Sequence, residues 1–232
     1  MKKNILLIIS LLFTIACNFA PQKSPLYRPP EGIKLASAQR LEFVNLFLQG
    51  RWCEAELLFR KSLNNYIRQD DFCSAAKNYI VAYKLMAYIG QNDEKLLAKA
   101  RDFAQAGEQC VLFTEQNELL PTEKDNKYRK LINSSNLKAL IYELNREDDP
   151  LFLSVYARKA SLIAKKNNFF KISQLLIRKA LEVDRRQGWV IFLIEDWKII
   201  LSLEKKSSKK KQIQKRINIL YQKVETCSKN FF

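Results

Sequence analysis

The sequence predicts an all-α domain, and three observations carry that expectation. From Lys34 onward apolar residues recur at spacings of three and four, and strand-like alternation is nowhere sustained. Residues that start and stop helices punctuate the pattern. The composition, 47% hydrophobic with five glycines and six prolines among 232 residues, supplies apolar surface for a sizeable core and argues against disorder or a loop-rich disulfide scaffold. The reading is about nine helices on short connections, which makes neighbours antiparallel hairpins.

The chain opens outside that pattern. Lys2 and Lys3 precede an apolar run from Ile5 to Ile15, and Ala16 offers the small residue of a cleavage site, the layout of a secretory signal over residues 1–16. As helix the run rises roughly 16 Å, about half the hydrocarbon core of a bilayer, too short to span it. Residues 17–34 hold Pro21, Pro25, Pro29 and Pro30. Such a segment favours extended polyproline geometry at about 3.1 Å per residue and makes a tether of roughly 40 Å. Residues 35–232 form the helical domain.

Within the leader, Thr14-Ile15-Ala16-Cys17 resembles the processing motif of bacterial lipoproteins, departing from it at Thr14, where leucine is usual. The resemblance implies cleavage before Cys17, acylation of Cys17 and attachment to a membrane of the cell envelope. Asn18, where an aspartate often signals inner-membrane retention, favours the outer membrane. Thr-Ile-Ala also suits the general signal peptidase, which would leave Cys17 a free thiol. Five cysteines are an odd count for an oxidising compartment. Lipidation of Cys17 leaves Cys53, Cys73, Cys110 and Cys227, which form up to two disulfides among three connectivities or stay as buried thiols.

Helix boundaries follow in order. Gly50 ends a first helix, and Gln69 to Asp71 breaks a second. Gly90 ends a third, and Asn92 and Asp93 cap a fourth. Pro121 interrupts the middle. Asp149-Pro150 is an N-cap followed by proline at the first helical position. Gly188 and Ser207-Ser208 mark two further boundaries.

Three helices share a phrase. Gly50-Arg51-Trp52-x-x-Ala55-x-x-x-Phe59-x-x-Ser62-Leu63 recurs as Asp70-Asp71-Phe72-x-x-Ala75-x-x-x-Tyr79-x-x-Ala82. It recurs again as Asn168-Phe169-Phe170-x-x-Ser173-x-x-x-Ile177-x-x-Ala180-Leu181. The spacing puts small residues where two helices approach and large ones in the groove beside them. The phrase resembles the turn and second helix of a tetratricopeptide repeat, with Tyr156, Ala160, Ser161 and Ala164 matching a first helix. The copies do not keep the family period of about 34 residues. The resemblance implies an irregular right-handed solenoid of helical hairpins that binds a peptide in a concave groove.

Two segments stand out. Trp189–Leu203 is apolar at more positions than one helix face can use. It reads as a central helix buried on two sides, or as a partner groove with Trp189, Phe192 and Trp197 as anchors. Glu204–Arg216 clusters Lys205, Lys206, Lys209, Lys210, Lys211, Lys215 and Arg216. Lysines near a helix start oppose its dipole, so the cluster reads as a solvated loop or as a contact for an anionic surface.

Catalytic signatures are missing from the sequence. The chain has no histidine, which removes histidine general bases, Ser-His-Asp and Cys-His catalysis and most zinc sites. Isolated glycines exclude a phosphate-cradling loop, and no cysteine pair has CxxC spacing. Glu143, Glu147, Asp148 and Asp149 include carboxylates that could act on a sugar, but capping at Pro150 already explains Asp149. The formal charge of +16 favours anionic partners, and the leader places the chain away from nucleic acid. The expectation is an envelope lipoprotein without enzymatic activity or cofactor, scaffolding another envelope protein or peptide. The alternative is a surface lipoprotein binding anionic lipids or wall polymers through its basic patch.

Overall fold

The structure, a computed structural model, describes residues 31–108 and 110–227; the leader, Cys17 and residues 18–30 lie outside the described residues. Among the described residues the chain is all-helical, with ten helices and no strand. These are α1 (Glu31–Gln49), α2 (Trp52–Arg68), α3 (Phe72–Tyr88), α4 (Glu94–Ala106) and α5 (Glu123–Asn133). They continue as α6 (Leu137–Asn145), α7 (Pro150–Lys166), α8 (Phe170–Gln187), α9 (Val190–Leu203) and α10 (Ser207–Tyr221). Helix α1 begins at Glu31, so residues 31–34, read as tether, are helical.

Six helices end in one way. Gly50, Asp70, Gly90, Ser135, Asn168 and Gly188 all have positive φ. Each donates its N–H to the carbonyl three residues back, and the next residue donates to the carbonyl five back, as Gly50 to Phe47 and Arg51 to Leu46 do. This double bond pattern satisfies carbonyls that a helix end leaves orphaned, and it turns the chain sharply enough for the next helix to fold back. The turn residue of each phrase copy is therefore the left-handed cap of the helix before it.

The rest of the phrase holds the hairpins together. Ala55, Ser62, Ala75, Ala82, Ser173 and Ala180 are fully buried, and Phe59, Tyr79 and Ile177 fill the core beside them. Small side chains let the backbones approach. Ser161 Oγ on α7 lies 2.9 Å from the Ser173 carbonyl on α8, and Asn78 on α3 donates to Ser62 Oγ on α2 at 2.8 Å. The structure adds a fourth, looser copy: Ser135-Asn136-Leu137-x-x-Leu140-x-x-x-Leu144, with Leu140 and Leu144 buried and Asn136 accepting the Ala139 N–H as a cap. It splits α5 from α6 and accounts for the tenth helix. One connection is long. Residues 107–108 and 110–122 form a loop pinched by Leu120 N–H donating to the Leu112 carbonyl at 2.9 Å and by the Cys73–Cys110 disulfide.

Both disulfides leave the phrase at the same place. Cys53 and Cys73 each follow the aromatic residue in the second position of a helix, and they bond Cys227 and Cys110. Bridging sequence separations of 174 and 37 residues, they restrict the unfolded chain by about 5 and about 4 kcal/mol in a chain-entropy account. Cys53–Cys227 ties the segment after α10 to the start of α2. Glu225 N–H donates to the Gly50 carbonyl at 2.9 Å, and its carboxylate accepts from the Cys53 N–H at 3.1 Å, capping α2 from the far end of the chain. Elsewhere α10 rests on α9 through Ile213 and Ile217 against Ile194.

A Cβ at Gly50 would sit 3.3 Å from the Val224 backbone, whereas one at Gly90, whose φ is also left-handed, meets nothing within 4 Å. Gly90→Ala should therefore cost about 1 kcal/mol of backbone strain, and Gly50→Ala clearly more. Urea midpoints of the two variants check this, and equal losses would show that the chain end is not clasped there.

Candidate functional site

A groove of about 530 Å³ runs across α3, α5, α7 and α9. Its geometry centres on Asp125 in the first turn of α5. Thr122 caps that helix by accepting the Asp125 N–H at 3.1 Å, which fixes the carboxylate toward α3 and α7. It accepts from Lys84 Nζ at 2.8 Å, Tyr156 OH at 2.7 Å and Thr122 Oγ1 at 3.1 Å. Burial alone would push the Asp125 carboxyl up, but these donors and the Lys84 charge outweigh it and hold it below the ordinary carboxylate range. Tyr156 in turn stacks on Tyr128 at 4.4 Å.

With Asp125 consumed, the groove keeps surplus positive charge. Glu195, the other acid on its wall, pairs with Lys198 at 2.7 Å. Arg129 is exposed and makes no ion pair or hydrogen bond among the described residues. Lys159 Nζ lies 5.3 Å and 5.1 Å from the Tyr88 and Tyr156 rings and likewise has no carboxylate. Loss of solvent and the neighbouring cations Arg129 and Lys84 hold Lys159 below the usual lysine range, against a smaller pull from Asp125. Burial and Asp125 push the Tyr88 phenol up to about 12, so it stays protonated. Tyr83 and Leu162 complete the walls. The arrangement suits binding of an anionic, partly apolar segment: two unneutralised cations, aromatic walls and phenol donors.

Beneath the groove lies a second buried cluster. Arg158 on α7 donates to Asp196 on α9 at 2.8 Å and to Asp184 on α8 at 2.6 Å. It also donates to Ser154 at 3.1 Å and covers the Phe192 ring at 4.3 Å. Both aspartates are fully buried, and Asp184 Oδ1 and Asp196 Oδ2 receive no donor from other side chains or backbone. With one of the two acids protonated, the pair carries a single negative charge, which one guanidinium balances. Burial, partly offset by Arg158 and reinforced by Asp196, pushes the Asp184 carboxyl up to about 8; burial pushes Asp196 up as well.

The residues singled out in the sequence are dispersed. Trp189 and Phe192 are 4% and 0% exposed and pack edge to face at 5.8 Å, so they are core and offer no face to a partner. Trp197 is half-buried at a separate cavity of about 180 Å³, with the Arg185 and Arg216 guanidinium groups 5.5 and 4.8 Å from its ring. Lys205, Lys206, Lys209, Lys210, Lys211, Lys215 and Arg216 are all exposed, and from Lys209 onward they are helical. The acidic cluster is occupied structurally. Glu147 accepts from Lys124 and Tyr128, both at 2.7 Å, Glu143 pairs with Lys127, and Asp149 caps α7.

Lys84, Asp125, Arg129 and Lys159 were missed, since each alone looks like a solvated helix residue and only the stacking of α3, α5 and α7 brings them together. Asp196 carried a signal: an acid inside an apolar run needs a buried partner. Comparison with known protein families, curated proteins and solved structures finds no match to this chain.

The acid pair gives a pH dependence. Folded Asp184 keeps its proton up to about pH 8, whereas its ordinary value is 3.8. The folded chain therefore binds more protons across that window, and this contribution to stability, full below it, falls as pH rises through it. Asp184→Asn, neutral at every pH, should flatten the fall. Denaturant midpoints at about pH 5 and about pH 8 test it, and an equally steep fall in the variant would contradict a proton held at Asp184.

Proposed function

We propose that this protein is a lipid-anchored envelope scaffold whose tetratricopeptide-like stack of hairpins captures an acidic segment of another envelope protein. The observation that carries the reading is the groove on α3, α5, α7 and α9, where Arg129 and Lys159 face tyrosine walls without a carboxylate of their own. An acidic side chain or chain terminus supplies the missing charge, and Leu162, exposed on the groove wall, meets an apolar neighbour. Binding alone is the mechanism; no covalent step is invoked. The anchor rests on the Cys17 motif. The disulfide pairing of the other four cysteines supports it, since Cys17 is then the thiol left over.

Two experiments test the two halves. A photo-cross-linking residue at Leu162 in intact envelopes should yield one discrete adduct, reduced on the order of tenfold by Arg129→Glu with Lys159→Glu. An adduct indifferent to the reversal would remove the groove as the site. A fatty-acid probe should label the chain, and Cys17→Ala should abolish the label. Label retained in Cys17→Ala, or no label on the wild type, would refute the anchor.

A further inference from the structure

The third copy of the phrase departs from the other two in one respect. In the first copy Trp52 stacks on Phe47 at 5.8 Å, and in the second Phe72 stacks on Phe103 at 6.3 Å. Phe170 holds the same position, yet it is 50% exposed and makes no ring contact among the described residues; Phe169 beside it is 52% exposed. Two adjacent phenylalanines thus project from the α7–α8 turn, flanked by Lys166 and Lys171, both exposed. Lys165 Nζ donates to Ser202 Oγ near the end of α9 at 2.8 Å. That bond puts the α7–α8 turn beside the α9–α10 turn, where the exposed lysines begin.

Among the described residues none of those lysines forms a salt bridge, and Glu204 is the acid whose carboxyl Lys206 and Lys209 hold down. Helix α10 contains no acidic residue, and the Glu204 carboxylate is taken up by the N–H groups of Lys205 and Lys206, at 2.9 Å each. Lysines at the start of a helix oppose its dipole, so an external anion is the natural counterpart. The cluster Lys205–Arg216 has one arginine and otherwise lysines. Ammonium point charges suit a diffuse field of phosphates, whereas a defined carboxylate or phosphate pocket favours the arginine fork. Apolar side chains ringed by lysines are the composition of a segment that lies in a bilayer interface.

We infer that this end of the domain docks on an anionic phospholipid surface, with Phe169 and Phe170 in the headgroup region and the lysines of both turns against lipid phosphates. The surface is separate from the groove and does not depend on what the groove holds.

The test uses the mature chain carrying Cys17→Ala, which keeps every described residue and has no acyl group. Vesicles of phosphatidylcholine with about 30% phosphatidylglycerol should bind it at least about tenfold more tightly than phosphatidylcholine alone, and about 0.5 M salt should erase the difference. Reversal of Lys209, Lys210 and Lys211 to glutamate, or Phe169→Ser with Phe170→Ser, should each weaken that binding on the order of tenfold. All five positions are exposed, so helical circular dichroism should be unchanged. Equal binding to both vesicles, or variants that bind like the parent, overturns the inference. Binding to polyglutamate but not to vesicles assigns the surface to an acidic protein, and self-association lost in the phenylalanine variant assigns it to a second copy; either overturns it. Arg129→Glu should leave vesicle binding intact, which separates this outcome from failure of the groove.

Discussion

Asp125 is a single buried carboxylate that ties three helices together, and by doing so it decides which charges of the groove stay free. It sits on α5, takes Lys84 from α3 and Tyr156 from α7, and is itself aimed by the Thr122 cap. A buried carboxylate tolerates its surroundings only when donors satisfy it, so the three helices are held in one register. Its satisfaction exhausts the negative charge nearby. Arg129 and Lys159 are left to face a groove that has no acid to spare for them.

Below that level the architecture rests on close backbone approach. Left-handed caps fold each helix back on the last, and buried alanines and serines let the pairs approach. Arg158 then pins α7, α8 and α9 with one guanidinium. Such a cluster adds little net stability compared with an apolar core, because desolvating the ions offsets their attraction. What it does is fix the floor on which Lys159 stands. The disulfide clasps act at the periphery, where they add to the apolar contacts that Leu112, Phe113 and Leu119 of the α4–α5 connection and Val224 after α10 make with the core.

Much of this fold was legible in the sequence, because helix ends and close approaches are written locally. Gly50, Asp93, Asp149-Pro150 and Gly188 stood where the helices end or start. The Ser134-Ser135-Asn136 turn was passed over for want of a glycine or proline, and the long α4–α5 loop because its disulfide partner is distant in sequence. The groove was not legible. Its residues lie on α3, α5 and α7, each ordinary in its own helix, and only the stack makes them neighbours. The aromatic run Trp189–Leu203 drew attention for its apolar content, which the core absorbs at Trp189 and Phe192.

The proposal that the groove takes an acidic segment is tested most directly by chemical shift. The Tyr83 and Tyr88 rings and the Lys159 ammonium can be followed while an acidic heptapeptide, or its glutamine counterpart, is titrated in. The account predicts saturable shifts at all three groups with the acidic peptide and none with the neutral one. Equal shifts with both peptides, or none with either, would contradict it.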